Sequence, residues 1–201
     1  MNKKEIVNHL QYSWWAYILT AVIVIGLWLT VFGILAKPKN DEKLAIAFIG
    51  KNFDDSAFED DLPHIIESST NQRVKEIFVE SIYSENNYTL DTIIVTRLQG
   101  TTDLFIWEGE LKGGLEDRYA LYDENIVNSV LGEVTYHRVN GEAYAIRLNS
   151  ENKNFKKYYK GSEDCWLLMS PNSVNFGGAN GKGKTENDAA IQVIKYLLGV
   201  E

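Results

Sequence analysis

Trp14-Trp15-Ala16-Tyr17-Ile18-Leu19-Thr20-Ala21-Val22-Ile23-Val24-Ile25-Gly26-Leu27-Trp28-Leu29-Thr30-Val31-Phe32-Gly33-Ile34-Leu35-Ala36 is almost wholly apolar, and its reading divides the chain in two. No charged side chain occurs from residue 10 to residue 36. A helix rises about 1.5 Å per residue, so about 20 apolar residues cover a hydrocarbon core roughly 30 Å thick. The run meets that length. Tyr12, Trp14, Trp15 and Tyr17 crowd one of its ends, where amphipathic rings favour the headgroup layer. A core helix of a small soluble protein would carry a polar stripe, and this run has none. The apolar region of a secretory signal is shorter, about 7–15 residues, and ends in a small-x-small site, for which Ile34-Leu35-Ala36 is a poor match. No lipid-accepting cysteine follows. Residues 13–36 therefore read as a permanent transmembrane helix whose partner is the lipid bilayer, with 1–12 as an N-terminal tail and 37–43 as a polar linker.

The rest of the 201-residue chain is soluble in character, and the mean hydropathy of the whole is only -0.22. Setting aside Lys3, Lys4 and Glu5, the segment from residue 37 onward keeps 18 of the 20 basic and 27 of the 28 acidic side chains, a balance of -9. That balance excludes the basic footprint of a nucleic-acid binder and opposes an anionic lipid surface. The single cysteine, Cys165, lies in the apolar run Cys165-Trp166-Leu167-Leu168 and reads as a small buried residue.

Residues 44–201 read as one α/β domain. Leu44-Ala45-Ile46-Ala47-Phe48-Ile49 is a doubly buried strand ending at Gly50. Asp54, Asp55 or Ser56 caps a helix through Phe58, Leu62 and Ile65-Ile66. A second strand spans 74–83, a helix spans 90–99 before Gly100, and Asp103-Leu104-Phe105-Ile106-Trp107 forms a third strand. Strands alternating with helices imply parallel pairing in this half. A short helix over 122–131 follows. Asn140-Gly141 between two alternating runs predicts a type I′ hairpin of 134–139 with 142–148. One or two helical turns at 152–159, a strand at 165–169 and a last helix over 187–198, capped by Thr185, complete the chain.

Several motifs suggest chemistry without supporting it. Gly178-Ala179-Asn180-Gly181-Lys182-Gly183-Lys184-Thr185 matches G-x-x-x-x-G-K-[ST] before a helix. A phosphate loop, however, needs a tight turn directly from a strand, and a later strand to supply an acidic metal partner; neither is present. His9, His64 and His137 have no Cys or His partner at metal-ligand spacing. No G-x-S-x-G elbow occurs. Asp54-Asp55 and Asp60-Asp61 fit helix-dipole and solvent roles better than acid–base work. The expectation is thus no enzyme, no catalytic residue, no cofactor and no metal.

In open α/β sheets, ligands bind beyond the carboxyl ends of the parallel strands. Those ends here are Gly50-Lys51-Asn52 and Trp107-Glu108-Gly109. Trp107 would stack on a sugar or peptide, with Asn52 and Glu108 as hydrogen-bonding partners. The competing reading has Trp107 closing the core and the polar residues facing water.

The order of elements resembles the first lobe of extracellular solute-binding proteins that deliver substrates to ABC importers. Residues 44–50 look like the opening strand, and Thr102-Asp103-Leu104-Phe105-Ile106-Trp107 is similar to the strand at the ligand cleft. Asn140-Gly141-Glu142-Ala143-Tyr144-Ala145-Ile146-Arg147-Leu148 resembles the G-K-x-Y-G-I-P crossover, with Arg147 in place of the proline. Residues 166–173 and 186–198 look like the returning strand and helix. Only residues 149–165 stand where the second lobe would be. The resemblance implies a three-layer, mixed-sheet domain like one lobe of a periplasmic-binding-protein fold, held outside the membrane. It implies an accessory to an ABC-type transporter or another membrane protein, with a sugar or peptide as possible ligand. A structural or assembly protein of the envelope, without a small-molecule ligand, is the alternative.

Overall fold

The computed structural model describes residues 3–35, 42–67, 74–85, 87–95, 101–111, 114–149, 151–171, 173 and 189–200. The chain forms two compact units, Met1–Pro38 and Lys39–Glu201.

The first unit is one helix, α1 (Lys3–Leu35). Its segment Trp14–Gly33 is long and apolar enough to cross a membrane, a property shared with signal sequences near an N-terminus. The side chains of residues 14–33 are exposed, including Leu19, Trp28 and Leu29. The two threonine hydroxyls of the segment are satisfied within the helix. Thr20 Oγ1 donates to the Ala16 carbonyl at 2.8 Å and Thr30 Oγ1 to the Gly26 carbonyl at 2.7 Å. In hydrocarbon an unsatisfied hydroxyl would be costly, and this back-bonding removes that cost.

The second unit is a mixed six-stranded sheet with helices on both faces. Its strands are β1 (Lys43–Ile49), β2 (Glu76–Ile82), β3 (Leu104–Glu108), β4 (Tyr136–Val139), β5 (Glu142–Leu148) and β6 (Cys165–Met169), in the order β2-β1-β3-β6-β5-β4. β1 pairs in parallel with β2 and with β3. From β6 onward every pairing is antiparallel. The parallel half agrees with the alternation of strands and helices in the sequence. The direction of β6 could not be read from its residues, because a doubly buried apolar run looks the same in either orientation.

Successive strand residues point to opposite faces, so each face acquires its own core. Phe48, Ile106 and Leu167 pack on one side with Phe58 and Leu62 of α2 (Asp55–Ile66), Phe155 of α6 (Lys153–Tyr158) and Ile194 of α7 (Ala189–Leu198). Ile49, Phe105 and Leu168 pack on the other with Leu90 of α3 (Asn87–Ile93). The step from β1 to β2 and the return from β2 to β3 run in opposite directions across the sheet. Two crossovers of the same hand must then lie on opposite faces, as α2 and α3 do.

Local chemistry fixes the ends of these elements. Asp54 is the cap of α2, its Oδ1 accepting from the Ala57 amide at 3.1 Å. Asn140 and Gly141 have φ of 53° and 91°, as a type I′ hairpin demands. Asp123 Oδ1 accepts from the Asn125 amide at the start of α5 (Glu124–Leu131), and a four-residue helix, α4 (Leu115–Arg118), precedes it. α3 begins earlier than expected, at Asn87, and the described chain of this region ends at residue 95. The glycine- and lysine-rich segment 178–185, with its expected cap Thr185, lies outside the described residues, as does most of the linker.

Candidate functional site

β1 and β3 lie side by side and point the same way, yet the chain leaves them toward opposite edges of the sheet. β1 connects to β2 on one side, and the later strands β6, β5 and β4 lie on the other. Such a reversal leaves a crevice beyond the strand ends. Here the ends of β1, β2 and β3 border a cleft of about 340 Å³, lined by residues that include Asn52, Tyr83, Trp107, Glu108, Glu110 and Glu163. The three residues singled out by sequence, Asn52, Trp107 and Glu108, are thus brought together.

Their roles differ. Glu108 is the hub. Its Oε2 accepts from the Lys51 amide at 2.6 Å, and its Oε1 accepts from Asn52 Nδ2 at 2.6 Å and from the Tyr159 hydroxyl at 2.7 Å. Burial alone would raise the Glu108 pKa, but the bonds from Asn52, the Lys51 amide and Tyr159 outweigh it and hold the carboxyl below its ordinary value. The opposite holds for Tyr159, whose phenol is pushed up by burial and then by donation to Glu108.

Backbone bonds hold the same region. The Lys160 amide donates to the Asn52 carbonyl at 2.8 Å, and the Asp54 amide to the Tyr158 carbonyl at 2.9 Å. The loop after β1 is therefore fixed both to β3, through Glu108, and to the end of α6. Gly50 permits this approach. A Cβ there would fall 2.6 Å from Glu108 Cβ and 2.8 Å from the Phe48 ring.

Trp107 is only 7% exposed and belongs to the core that includes Leu90 and Phe105. It sits in register between Ile49 and Trp166. It closes the core and contributes to the cleft wall, in keeping with the competing reading, and is not an open stacking platform. Sequence reasoning missed Tyr159, Glu110 and Glu163. Tyr159 follows a six-residue helix and carries no motif; its signal is purely tertiary.

The remaining candidates are structural or isolated. Asp61 accepts from the Lys157 ammonium and from the Tyr158 hydroxyl at 2.6 Å, and Tyr158 lies 2.9 Å from the Tyr196 hydroxyl. The Lys157 bond, then the Tyr158 bond, draw the Asp61 pKa down. This network joins α2, α6 and α7 at the surface. His64 lies near Glu67, and the His137 ring meets Trp166 edge-on at 5.3 Å. Among the described residues no group of three His, Cys, Asp or Glu side chains could hold a metal ion. Cys165 is buried, which pushes its thiol up.

Fold and site together define a mixed α/β domain with a cleft at its strand ends, on a chain that also has one long apolar helix. No protein-family model matches the chain, and no curated protein matches it.

Proposed function

We propose that the protein is a membrane-tethered binding or accessory module, anchored through residues 13–36 with residues 44–201 outside the cell. It would assist an ABC-type transporter or another envelope complex, in the manner that its resemblance to one lobe of solute-binding proteins implies. One observation carries this reading. The loop after β1 and the end of β3 meet at a crevice with polar side chains on its wall, where α/β sheets bind ligands. The anionic balance of the domain speaks against nucleic acid as a partner.

The second reading, an envelope assembly protein without a small ligand, is favoured by a different observation. The Glu108 carboxylate already accepts from three protein donors, so it has little capacity for a ligand. A thermal-shift screen of the full chain in detergent micelles, with sugars, peptides and amino acids, separates the two. Stabilisation by a compound, abolished by Asn52→Ala, supports the binding module. A flat screen, together with co-purification of a membrane partner, supports the assembly protein.

A further inference from the structure

β1 is fastened on both sides where the chain enters it. On the β2 side the Lys75 amide donates to the Glu42 carbonyl at 2.7 Å, and the ion pairs Lys75–Glu42 and Lys43–Glu76 add side-chain bonds. On the β3 side Asp103 grips Ala45 with backbone and side chain. Its amide donates to the Ala45 carbonyl at 2.8 Å, and its Oδ2 accepts from the Ala45 amide at 2.9 Å. Asp103 also holds the chain that follows β6. Its Oδ1 accepts from the Ser173 hydroxyl at 2.7 Å, and its carbonyl accepts from the Ser170 amide at 2.9 Å. Apart from aromatic residues and Cys165, the buried polar side chains among the described residues are Thr102, Asp103, Ser170 and Ser173, and all of them lie at this end of the sheet. In a site closed to water such bonds are stronger than at the surface, and no water is at hand to replace a stretched one.

The topology sets the direction in which β1 is loaded. β5 runs parallel to β1, because two antiparallel pairings separate it from β3. The end of β5 at Leu148 therefore lies with the end of β1 at Ile49. Just beyond it, Asn152 Nδ2 donates to the Leu198 carbonyl at 3.1 Å, so α7 finishes there too. The chain thus enters the domain at one end of β1 and finishes, beside the cleft, at the other. Tension between these ends runs along β1. It shears the ladders to β2 over Lys43–Ile49 and to β3 over Ile46–Ile49, loading their bonds together. Tension across the strand would peel the same bonds apart in turn.

We propose that β1 is a load-bearing strand: the clamp around Asp103 lets the domain withstand tension between its membrane anchor and a partner held at the cleft end. The proposal rests on the tethered-module reading and adds a mechanical function to it. Forced unfolding is governed by the unfolding barrier, so bonds that must break together count for more than their equilibrium worth.

The test is optical-tweezers pulling of the full chain in detergent micelles, with handles on introduced cysteines. Cys165 is buried and stays unlabelled. Asn40→Cys with Glu201→Cys pulls along β1. Asn40→Cys with Thr101→Cys, both at the entry end, peels β1 from β3. At equal loading rate the first pair ruptures at the higher force. In that geometry Asp103→Asn lowers the force, and so does Ser173→Ala, a milder change that removes one bond and leaves the rest of the clamp. Equal forces in the two geometries, or a lower force along β1, overturn the proposal, as does a force along β1 that both variants leave unchanged. Alkaline extraction and intact mass of the same chain separate this failure from that of the tether. A membrane-held chain with equal forces sinks the load-bearing role alone, whereas a chain whose long helix is cleaved off has no anchor to load it and sinks both.

Discussion

Tyr159 donates its hydroxyl hydrogen to Glu108 Oε1 at 2.7 Å, across 51 residues of sequence. The bond joins the end of α6 to the end of β3, and Asn52 completes the junction on the same oxygen. Tyr159→Phe keeps the ring that packs on Phe155 and removes the hydroxyl, which also meets the Cys165 thiol. The expected loss is about 1 kcal/mol, below the range for a buried bond to a charged group, since Glu108 is partly open to water. Thermal unfolding of the full chain in micelles measures it. An unchanged Tm would mean that the hydroxyl does not support the junction.

The same carboxyl predicts a pH dependence. The Glu108 pKa is lowered in the folded state from an ordinary value of 4.5. Its contribution is therefore complete above that value and is lost as pH falls through the folded pKa. Glu108→Gln mimics the protonated form and also sets an amide donor against a donor. The variant is expected to be about 1–2 kcal/mol less stable near neutral pH. The gap to wild type narrows once pH drops below 4.5. A gap that stayed constant into the acid range would show that the charge of Glu108 contributes nothing.

Gly50→Ala tests the close approach rather than the bond. The added methyl would sit 2.6 Å from Glu108 Cβ, so either the loop or Glu108 must move. Overpacking of this kind costs about 1–3 kcal/mol. It should also weaken the Lys51 and Asn52 bonds, so Gly50→Ala combined with Glu108→Gln is expected to lose less than the two separate losses together. Strict additivity in a double-mutant cycle would refute the coupling.

The elements themselves were legible because each carries its own local signal. The 44–49 run is apolar and ends at a glycine, Asn140-Gly141 needs positive φ at both centres, and Asp54 caps a helix whose Phe58 and Leu62 share a face. The position of the cleft followed from reading 44–49 and 103–107 as parallel strands, and Asn52, Trp107 and Glu108 all line it. What the residues did not reveal was how Glu108 would be used. Its partners include Tyr159, which is brought in by a short helix with no motif, and the backbone amide of Lys51, which has no identity in sequence. Trp107 shows a related limit. A tryptophan at a strand end fits both an open platform and a core lid, and only the packing of Leu90 and Ile49 around it decides.

Tyr119 predicts a gain. It is 6% exposed, its ring meets Phe105 edge-on at 5.3 Å, and its buried hydroxyl has no hydrogen-bond partner among the described residues. Burial pushes its phenol up to about 12. A buried hydroxyl without a bond is a desolvation cost, and deleting it while keeping the ring removes that cost. Tyr119→Phe is expected to raise stability by up to about 1 kcal/mol, read as an increase in Tm. A clear decrease would mean that the hydroxyl has a bonded partner in solution.

The long helix gives the last prediction. If Trp14–Gly33 lies in hydrocarbon, a charge at its centre is opposed by roughly 2.5–3.5 kcal/mol on translocon insertion scales. Thr20 and Thr30 escape such a cost because their hydroxyls bond back to their own helix, which a lysine ammonium in the middle cannot do. Val24→Lys should therefore move a substantial share of the protein out of the alkali-resistant membrane fraction. The wild-type chain should stay in that fraction at its full mass of 22.9 kDa. Intact-mass measurement separates an anchor from a cleaved signal. Recovery of a soluble product shortened by the helix would identify 14–33 as a signal sequence, and the tethered role would fall with the anchor.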